Sequence, residues 1–283
     1  MTYSKNFQWK TPAAIESRRK ASHTQSSHMS DTFDLQSLLA SWPYDPENDT
    51  RLVRGRDGRE ILQVRTSLGV EQYELEGRPD GARPHGMESA LEFYRVRLER
   101  LKGTAREGSF KLNAKQCSEI FDESTLYYLR YVRLFQLKDW PRTIRDTARN
   151  LQAFDFVHRH AEREEDQLFL EKWRPYILRV NASANAMHFL EKHAYDQALG
   201  CLRKGMSTIE ALPEFEDETF HFERERSLLA LRELLSQVEK NRPMTQLEQL
   251  EHQLKRAIER QEFERAAVLR DRIRLLRNPP RVC

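Results

Sequence analysis

The spacing of the hydrophobic positions changes once along the chain, near Met87. Before that point apolar residues alternate with polar ones, most clearly at Leu62 and Val64 and again at Tyr73 and Leu75. A period of two is typical of half-buried strands. Because glycine-containing turn signals separate three such runs, the pattern predicts a small N-terminal three-stranded β meander.

After Met87, apolar residues recur at helical spacing almost to Arg277, which predicts a mainly α protein. Several prolines stand where helices would begin or stop, since proline is tolerated only in the first turn of a helix. The tripeptide Asn241–Pro243 gives the strongest break in the helical pattern. We place the start of a separate C-terminal unit there.

These breaks and the composition predict five segments. The first is polar, has no helical or strand period and is expected to be a disordered leader, in which Met29 is an alternative translation start to Met1. The predicted segments are a leader over 1–32, a small α+β domain over 33–110, a helical domain over 111–242, a helical hairpin over 243–278 and a tail over 279–283.

One local pattern recurs at three predicted helix junctions. An aromatic residue starts the second helix, and a small residue follows three positions later. The pairs are Trp140 with Thr143, Tyr195 with Ala198, and Phe263 with Ala266. The aromatic ring can fill the space at the turn, and the small side chain lets the two helices approach closely. The pattern therefore predicts three helical hairpins.

The middle hairpin resembles a tetratricopeptide repeat. The residues that carry this resemblance are Ala182, Ala186, Phe189, Tyr195, Ala198, Leu202 and Pro213. The hairpins are not spaced at the constant interval of about 34 residues that a regular array requires. We therefore predict tetratricopeptide-like hairpins, with an irregular helical bundle as the alternative.

The C-terminal segment contains two short apolar stripes. The first predicted helix carries an apolar face formed by Leu247, Leu250, Leu254, Ala257 and Ile258. The pattern restarts at Phe263 and continues through Ile273 on the inner side of the second helix. Two antiparallel helices with facing apolar stripes follow from this pattern. A hairpin of this size is too small to bury a full core alone, so it is expected to need a partner.

The run from Phe263 to Asp271 reads FE-x-AA-x-x-RD and closely resembles the UVR motif. That motif is a hairpin shared by the bacterial excision-repair proteins UvrB and UvrC, and it also occurs in certain Clp-type ATPases and protein-arginine-kinase activators. Its hairpin pairs with another copy, so the resemblance implies a bacterial-type interaction protein. The expected partner-binding residues are Leu250, Leu254, Phe263, Ala266, Ala267, Leu269, Arg270 and Ile273.

The resemblance implies a non-enzymatic adaptor in excision repair or protein quality control. Its expected partner is another UVR-bearing protein, and a homodimer through the hairpin is an alternative. A further alternative is that the hairpin folds back on the chain's own helical domain.

The last helix also suggests a second function, auxiliary DNA or RNA binding. Arg270, Arg274, Arg277 and Arg281 recur at helical spacing on one face, where they could contact phosphates. No groove-reading motif or aromatic interleaving accompanies them. With 47 basic and 44 acidic residues, the chain as a whole permits nucleic-acid binding without favouring it.

Other kinds of chemistry find little support in the sequence. There is no phosphate-binding loop, no CxxC pair and no run of about 18 apolar residues that could span a membrane. His158 and His160 are two positions apart on a predicted helix, so they point to different faces and are poorly placed to chelate one metal ion. His85, in the loop between Arg78 and Gly86, is better explained as a turn residue than as a base, because no nucleophile accompanies it. We therefore expect no catalytic residue, metal or cofactor, no membrane association, and a cytoplasmic location.

Overall fold

The computed structural model describes residues 35–106 and 108–277. The elements, in chain order, are α1 (Gln36–Ser41), β1 (Thr50–Arg54), β2 (Glu60–Arg65), β3 (Val70–Glu74), α2 (Ala90–Glu99), α3 (Ala114–Gln136), α4 (Trp140–His160), α5 (Glu164–Phe169), α6 (Arg174–Glu191), α7 (Tyr195–Glu210), α8 (Glu218–Asn241), α9 (Gln246–Glu259) and α10 (Phe263–Arg277). Short 3-10 turns occupy Pro84–Gly86 and Glu171–Trp173. The predicted fold class is confirmed. The predicted leader and the tail lie outside the described residues.

The three strands form the predicted meander. They pair antiparallel in the order β1-β2-β3, with Leu52 opposite Leu62 and Leu62 opposite Tyr73. Leu62, Val64 and Tyr73 point towards the helices and are buried together with Leu134 of α3. One face of the sheet is therefore held against the helical part of the chain, as the alternating pattern requires.

The main hydrophobic core joins the N-terminal segment to the helices. Leu91 and Tyr94 of α2 are buried in the same cluster as Ile120 of α3 and Phe154 of α4. Packing is therefore continuous across residues 110 and 111, where the sequence places a domain boundary. That boundary remains a prediction, but the two segments share their interior.

A buried ion pair fixes the sheet to the α3–α4 pair. The guanidinium of Arg130 donates to both carboxylate oxygens of Asp146 at 2.7 and 2.9 Å, and both side chains are 1% exposed. Its third nitrogen donates to the carbonyl oxygens of Glu74 and Gly77, at 2.7 and 2.9 Å. Arg130 thus satisfies at once a carboxylate on α4 and two backbone acceptors, one in the last residue of β3 and one in the turn that follows it.

A second buried carboxylate holds α2. Glu123 of α3 is fully buried and accepts hydrogen bonds from the backbone N–H groups of Ala90 and Leu91, at 2.7 and 3.2 Å. These donors are the free amides at the start of α2, where a negative charge is favoured. Arg78 and Arg149 complete the shell around the same carboxylate. The loop that begins at Arg78 is therefore fixed by buried electrostatic contacts.

A second core lies between α6, α7 and α8. It contains Ala182 and Ala186 of α6, Leu202 of α7 and Leu231 of α8. A Cβ atom added at Gly205 of α7 would lie 2.5 Å from the Cβ of Ala182. Gly205 is therefore required by the close approach of α6 and α7, the property that the small residues of this hairpin predict.

The three predicted hairpin turns have the same backbone geometry. In each, a non-glycine residue two positions before the aromatic adopts a positive φ, 60° at Lys138, 56° at His193 and 59° at Gln261. The residue after it donates its N–H to the carbonyl oxygen of the residue five positions before the donor, at 2.8 to 2.9 Å in all three turns. This is the Schellman arrangement that ends many helices, here built three times without glycine.

These turns predict that glycine at the positive-φ position stabilises the protein. The left-handed conformation costs a non-glycine residue about 1–2 kcal/mol, so His193→Gly should raise the free energy of unfolding by about 1 kcal/mol. The measurement is chemical denaturation of the full chain. His193→Ala is the control, because it removes the exposed ring but keeps the Cβ. An equal gain from both substitutions would contradict the explanation.

Candidate functional site

The C-terminal hairpin is built by α9 and α10 and starts with a well-formed cap. The hydroxyl of Thr245 accepts from the N–H of Glu248 at 3.2 Å, and the Glu248 carboxylate accepts from the N–H of Thr245 at 2.7 Å. This capping box satisfies two free donors at the start of α9. The T-x-x-E spacing typical of such a box is visible in the sequence at Thr245 and Glu248.

The cap makes the start of α9 sensitive to acid. The pKa of Glu248 is lowered from 4.5, first by the backbone hydrogen bond from Thr245 and then by the Thr245 side chain. A carboxyl group whose pKa is lowered by folding stabilises the folded state at pH values above its unfolded-state pKa. That contribution is lost as the pH falls through its folded-state pKa. The cap is therefore intact at neutral pH and weakens below the usual range of a glutamate.

The interior of the hairpin is small. Ala257 of α9 faces Leu269 and Ile273 of α10, and all three side chains are buried. Leu269 and Ile273, which the sequence assigns to the partner-binding residues, therefore lie inside the hairpin. Ala266 and Ala267 are half-buried beside them.

One side of the hairpin exposes large apolar side chains. Along α10, successive members of the set Phe263, Arg270 and Arg277 are seven residues apart, so they lie on one flank of the helix. The same spacing separates Glu251 from Ile258 on α9, so these two also share one flank. An ion pair of 2.5 Å between Glu251 and Arg277 brings the two flanks together. We call this surface the Phe263 face; it comprises Leu247, Leu254, Ile258, Phe263 and Arg270.

The side chains of the Phe263 face differ in exposure. Phe263 is 70% exposed and Ile258 is 55% exposed, whereas Leu247 and Leu254 are half-buried. The sequence pattern placed Ile258 on the inner face of α9, and this was wrong. A patch of this composition on so short an element is typical of a protein–protein contact.

The same position is covered in the first hairpin. Trp140 occupies the place of Phe263 after the same turn, yet it is 4% exposed, because its ring packs on Phe135 and its Nε1 donates to Glu191 of α6 at 2.6 Å. A neighbouring hairpin therefore covers the aromatic in one copy. Phe263 has no comparable cover within the described chain.

The hairpin is only lightly attached to the rest of the protein. No residue of α9 or α10 belongs to the hydrophobic clusters of the described chain, and these two helices pack extensively only on each other. Arg242 forms the main polar link, since it pairs with Asp196 at the start of α7 and with Glu248 in α9. The Phe263 face is thus not used for packing on the chain's own helical domain.

The predicted basic face is only partly free. Arg277 is paired with Glu251, whereas Arg270 lies 4.0 Å from Asp271, and both are exposed. Arg274 is exposed on the same flank, and Arg281 lies outside the described residues. Arg270 and Arg274 therefore form a basic rim beside the Phe263 face.

The histidines singled out in the sequence lie in separate environments. The ring of His160 packs against Phe110 and Phe156, whereas His158 lies 3.4 Å from the carbonyl of Gln167. His85 takes a positive φ of 55° in its turn and bonds to Glu119 at 3.0 Å. Within residues 35–106 and 108–277, no group of three His, Cys, Asp or Glu side chains is arranged to hold a metal ion. No helix in that range is long and apolar enough to cross a membrane.

Comparison with known proteins identifies the hairpin. Residues 245–278 match the UvrB/uvrC motif (UVR) family, which confirms the resemblance found in the sequence. The match starts at the Thr245 cap and includes both helices of the hairpin. No curated protein and no solved structure matches the chain significantly.

Proposed function

We propose that this protein is a non-enzymatic interaction adaptor whose C-terminal hairpin docks on another UVR-type hairpin through the Phe263 face. The exposure of Phe263 carries the proposal. The equivalent aromatic of the first hairpin is covered by a neighbouring hairpin, and the simplest cover for Phe263 is a hairpin supplied by a second molecule.

The composition of the face supports a helical partner of the same kind. Its centre is apolar, and its rim carries Arg270 and Arg274. The acidic residues Glu264 and Asp271 are exposed on the same helix, so a second UVR hairpin would offer both the apolar surface and the opposite charges. Because the UVR motif is known from excision-repair proteins, a role linked to repair is the first to test, and protein quality control is the second.

Affinity capture with a pair of hairpin variants tests this function. Ile258 and Val268 are both β-branched and both 55% exposed, but only Ile258 belongs to the Phe263 face. We expect the intact protein to capture UVR-bearing proteins from a lysate of the source organism, and the Ile258→Asp variant to fail to capture them. Losses of about 2 kcal/mol or more are usual for a central interface position, so binding should weaken at least about thirtyfold.

Val268→Asp serves as the control and should retain the partner. Sedimentation of the purified chain distinguishes a second copy from another protein as the partner. If both variants capture the same proteins as the intact chain, the Phe263 face is not the binding surface. If only nucleic acid is captured and its binding falls steeply with salt, the protein acts through phosphate contacts instead.

A further inference from the structure

The two outer edges of the three-stranded sheet differ in how much backbone they leave open. After β3 the chain folds back, so the N–H of Glu74 donates to the carbonyl of Pro79 at 2.8 Å. The carbonyl of Glu74 accepts from Arg130 at 2.7 Å. Among the described residues, β1 pairs only with β2, and none of its backbone groups bonds outside that pairing. The edge of β1 is therefore open along its whole length.

The hydrogen-bond pattern identifies the backbone groups that point out of this edge. The N–H of Gly55 donates to the carbonyl of Arg59 at 2.8 Å. The N–H of Arg65 donates to the carbonyl of Asp49 at 2.6 Å. Both contacts join odd-numbered residues, so in the alternating antiparallel pattern the even-numbered residues of β1 direct their N–H and C=O groups away from the sheet. These residues are Thr50, Leu52 and Arg54. Such a row is a template for one more strand.

The side chain at the middle of this edge is apolar and partly uncovered. Leu52 lies opposite Leu62 of β2, but Leu62 is fully buried whereas Leu52 is 38% exposed. A strand added beside β1 would cover Leu52 from the side that faces away from β2. An apolar residue opposite Leu52 on the added strand would remove the most apolar surface from water.

The two ends of the open edge carry opposite charges. Glu47 precedes β1, whereas Arg54 ends the strand and Arg56 follows it, and all three are exposed. Asp57, near the basic end, is neutralised by Arg59 at 2.5 Å. An antiparallel strand with the same order of charges brings its basic end to the acidic end of β1, and its acidic end to the basic end. A second copy of β1 has this order.

We propose that two copies of this chain associate through the free edges of β1, so that their three-stranded sheets join into one antiparallel sheet across a two-fold axis at Leu52. In this register Leu52 lies opposite its own counterpart, and Arg54 lies opposite Thr50 of the second copy. Arg51 lies opposite Val53 of the second copy, so no arginine of the strand faces another. The site is separate from the hairpin, so this inference does not depend on the proposed adaptor function.

Sedimentation equilibrium of the full-length Ile258→Asp variant tests the proposal. That substitution disrupts the Phe263 face, so association through the hairpins does not contribute to the result. We expect a monomer–dimer equilibrium with a dissociation constant between about 1 and 100 µM, because two short strands form a small interface. Amide hydrogen exchange adds a local readout. The N–H of Leu52 should gain protection as the protein concentration rises, whereas the N–H of Val53, which pairs with β2, should not change.

Two substitutions of Leu52 locate the interface. Leu52→Lys should weaken the dimer at least about tenfold, because it places two like charges opposite each other at the two-fold axis. Leu68→Lys is the control, since Leu68 is 90% exposed in the turn between β2 and β3, away from this edge. Leu52→Pro adds no charge and removes the outward N–H that β2 does not use, so it should also weaken the dimer.

Several outcomes would overturn this dimer. One is a chain that sediments as a monomer at all concentrations up to about 1 mM, which would leave the edge to an extended segment of another protein. Another is an equal loss of the dimer in Leu52→Lys and Leu68→Lys. The proposal also fails if the dimer forms but the N–H of Leu52 gains no protection.

Discussion

Replacing Arg130 by alanine is expected to lower the free energy of unfolding by about 3–5 kcal/mol. The substitution leaves the buried carboxylate of Asp146 without its bidentate partner, and it frees the carbonyls of Glu74 and Gly77 at the end of the sheet. Arg145 keeps one contact of 3.0 Å to Asp146, but a buried carboxylate that loses its bidentate partner is among the few causes of so large an effect. Urea denaturation followed by circular dichroism measures it.

A double variant separates the charge from the packing. In Arg130→Met with Asp146→Leu neither charge remains, so part of the stability lost in Arg130→Ala should return. The carbonyls of Glu74 and Gly77 stay unpaired in both variants, so recovery should be incomplete. A double variant no more stable than Arg130→Ala would show that the arginine acts mainly through those carbonyls.

Leu269→Asp is expected to unfold the C-terminal hairpin and leave the rest of the protein folded. Leu269 is buried against α9, and an unpaired charge there should cost about 3–5 kcal/mol, more than so small an element can supply. Amide hydrogen exchange should show α9 and α10 losing protection. The cores of α3–α4 and α6–α8 should keep it, because the hairpin contributes to neither.

The neighbouring position provides the control for this experiment. Val268 is exposed, so Val268→Asp should leave hydrogen exchange in both helices unchanged. If Leu269→Asp also removes protection from α6 or α8, the hairpin and the helical domain fold as one unit. That result would contradict the conclusion that the UVR hairpin is a separate unit.

The elements of the fold could be predicted because their patterns are local. Alternation at Leu62 and Val64 identifies a strand, and Asn113 and Asp217 cap α3 and α8 as their positions before helical runs suggest. The buried ion pair of Arg130 with Asp146 and the buried carboxylate of Glu123 could not be predicted. These residues are far apart in sequence, and a charged residue within a helix is normally solvated.

The hairpin was recognised from its sequence, but the role of each residue depends on which flank is covered. Leu269 and Ile258 are both apolar and both fall within the expected stripe, yet Leu269 is buried and Ile258 is exposed. Periodicity locates a stripe on a helix but not its edges, because one residue turns the helix by about 100°.

The four residues from Arg242 to Thr245, between α8 and α9, form a short tether. Even fully extended, such a tether spans only about 14 Å. A partner bound by the hairpin, as proposed, would therefore be held beside the helical domain at an effective concentration in about the millimolar range. At that concentration a second contact too weak to detect in solution would be occupied, and the helical domain would then add to recognition without binding tightly itself.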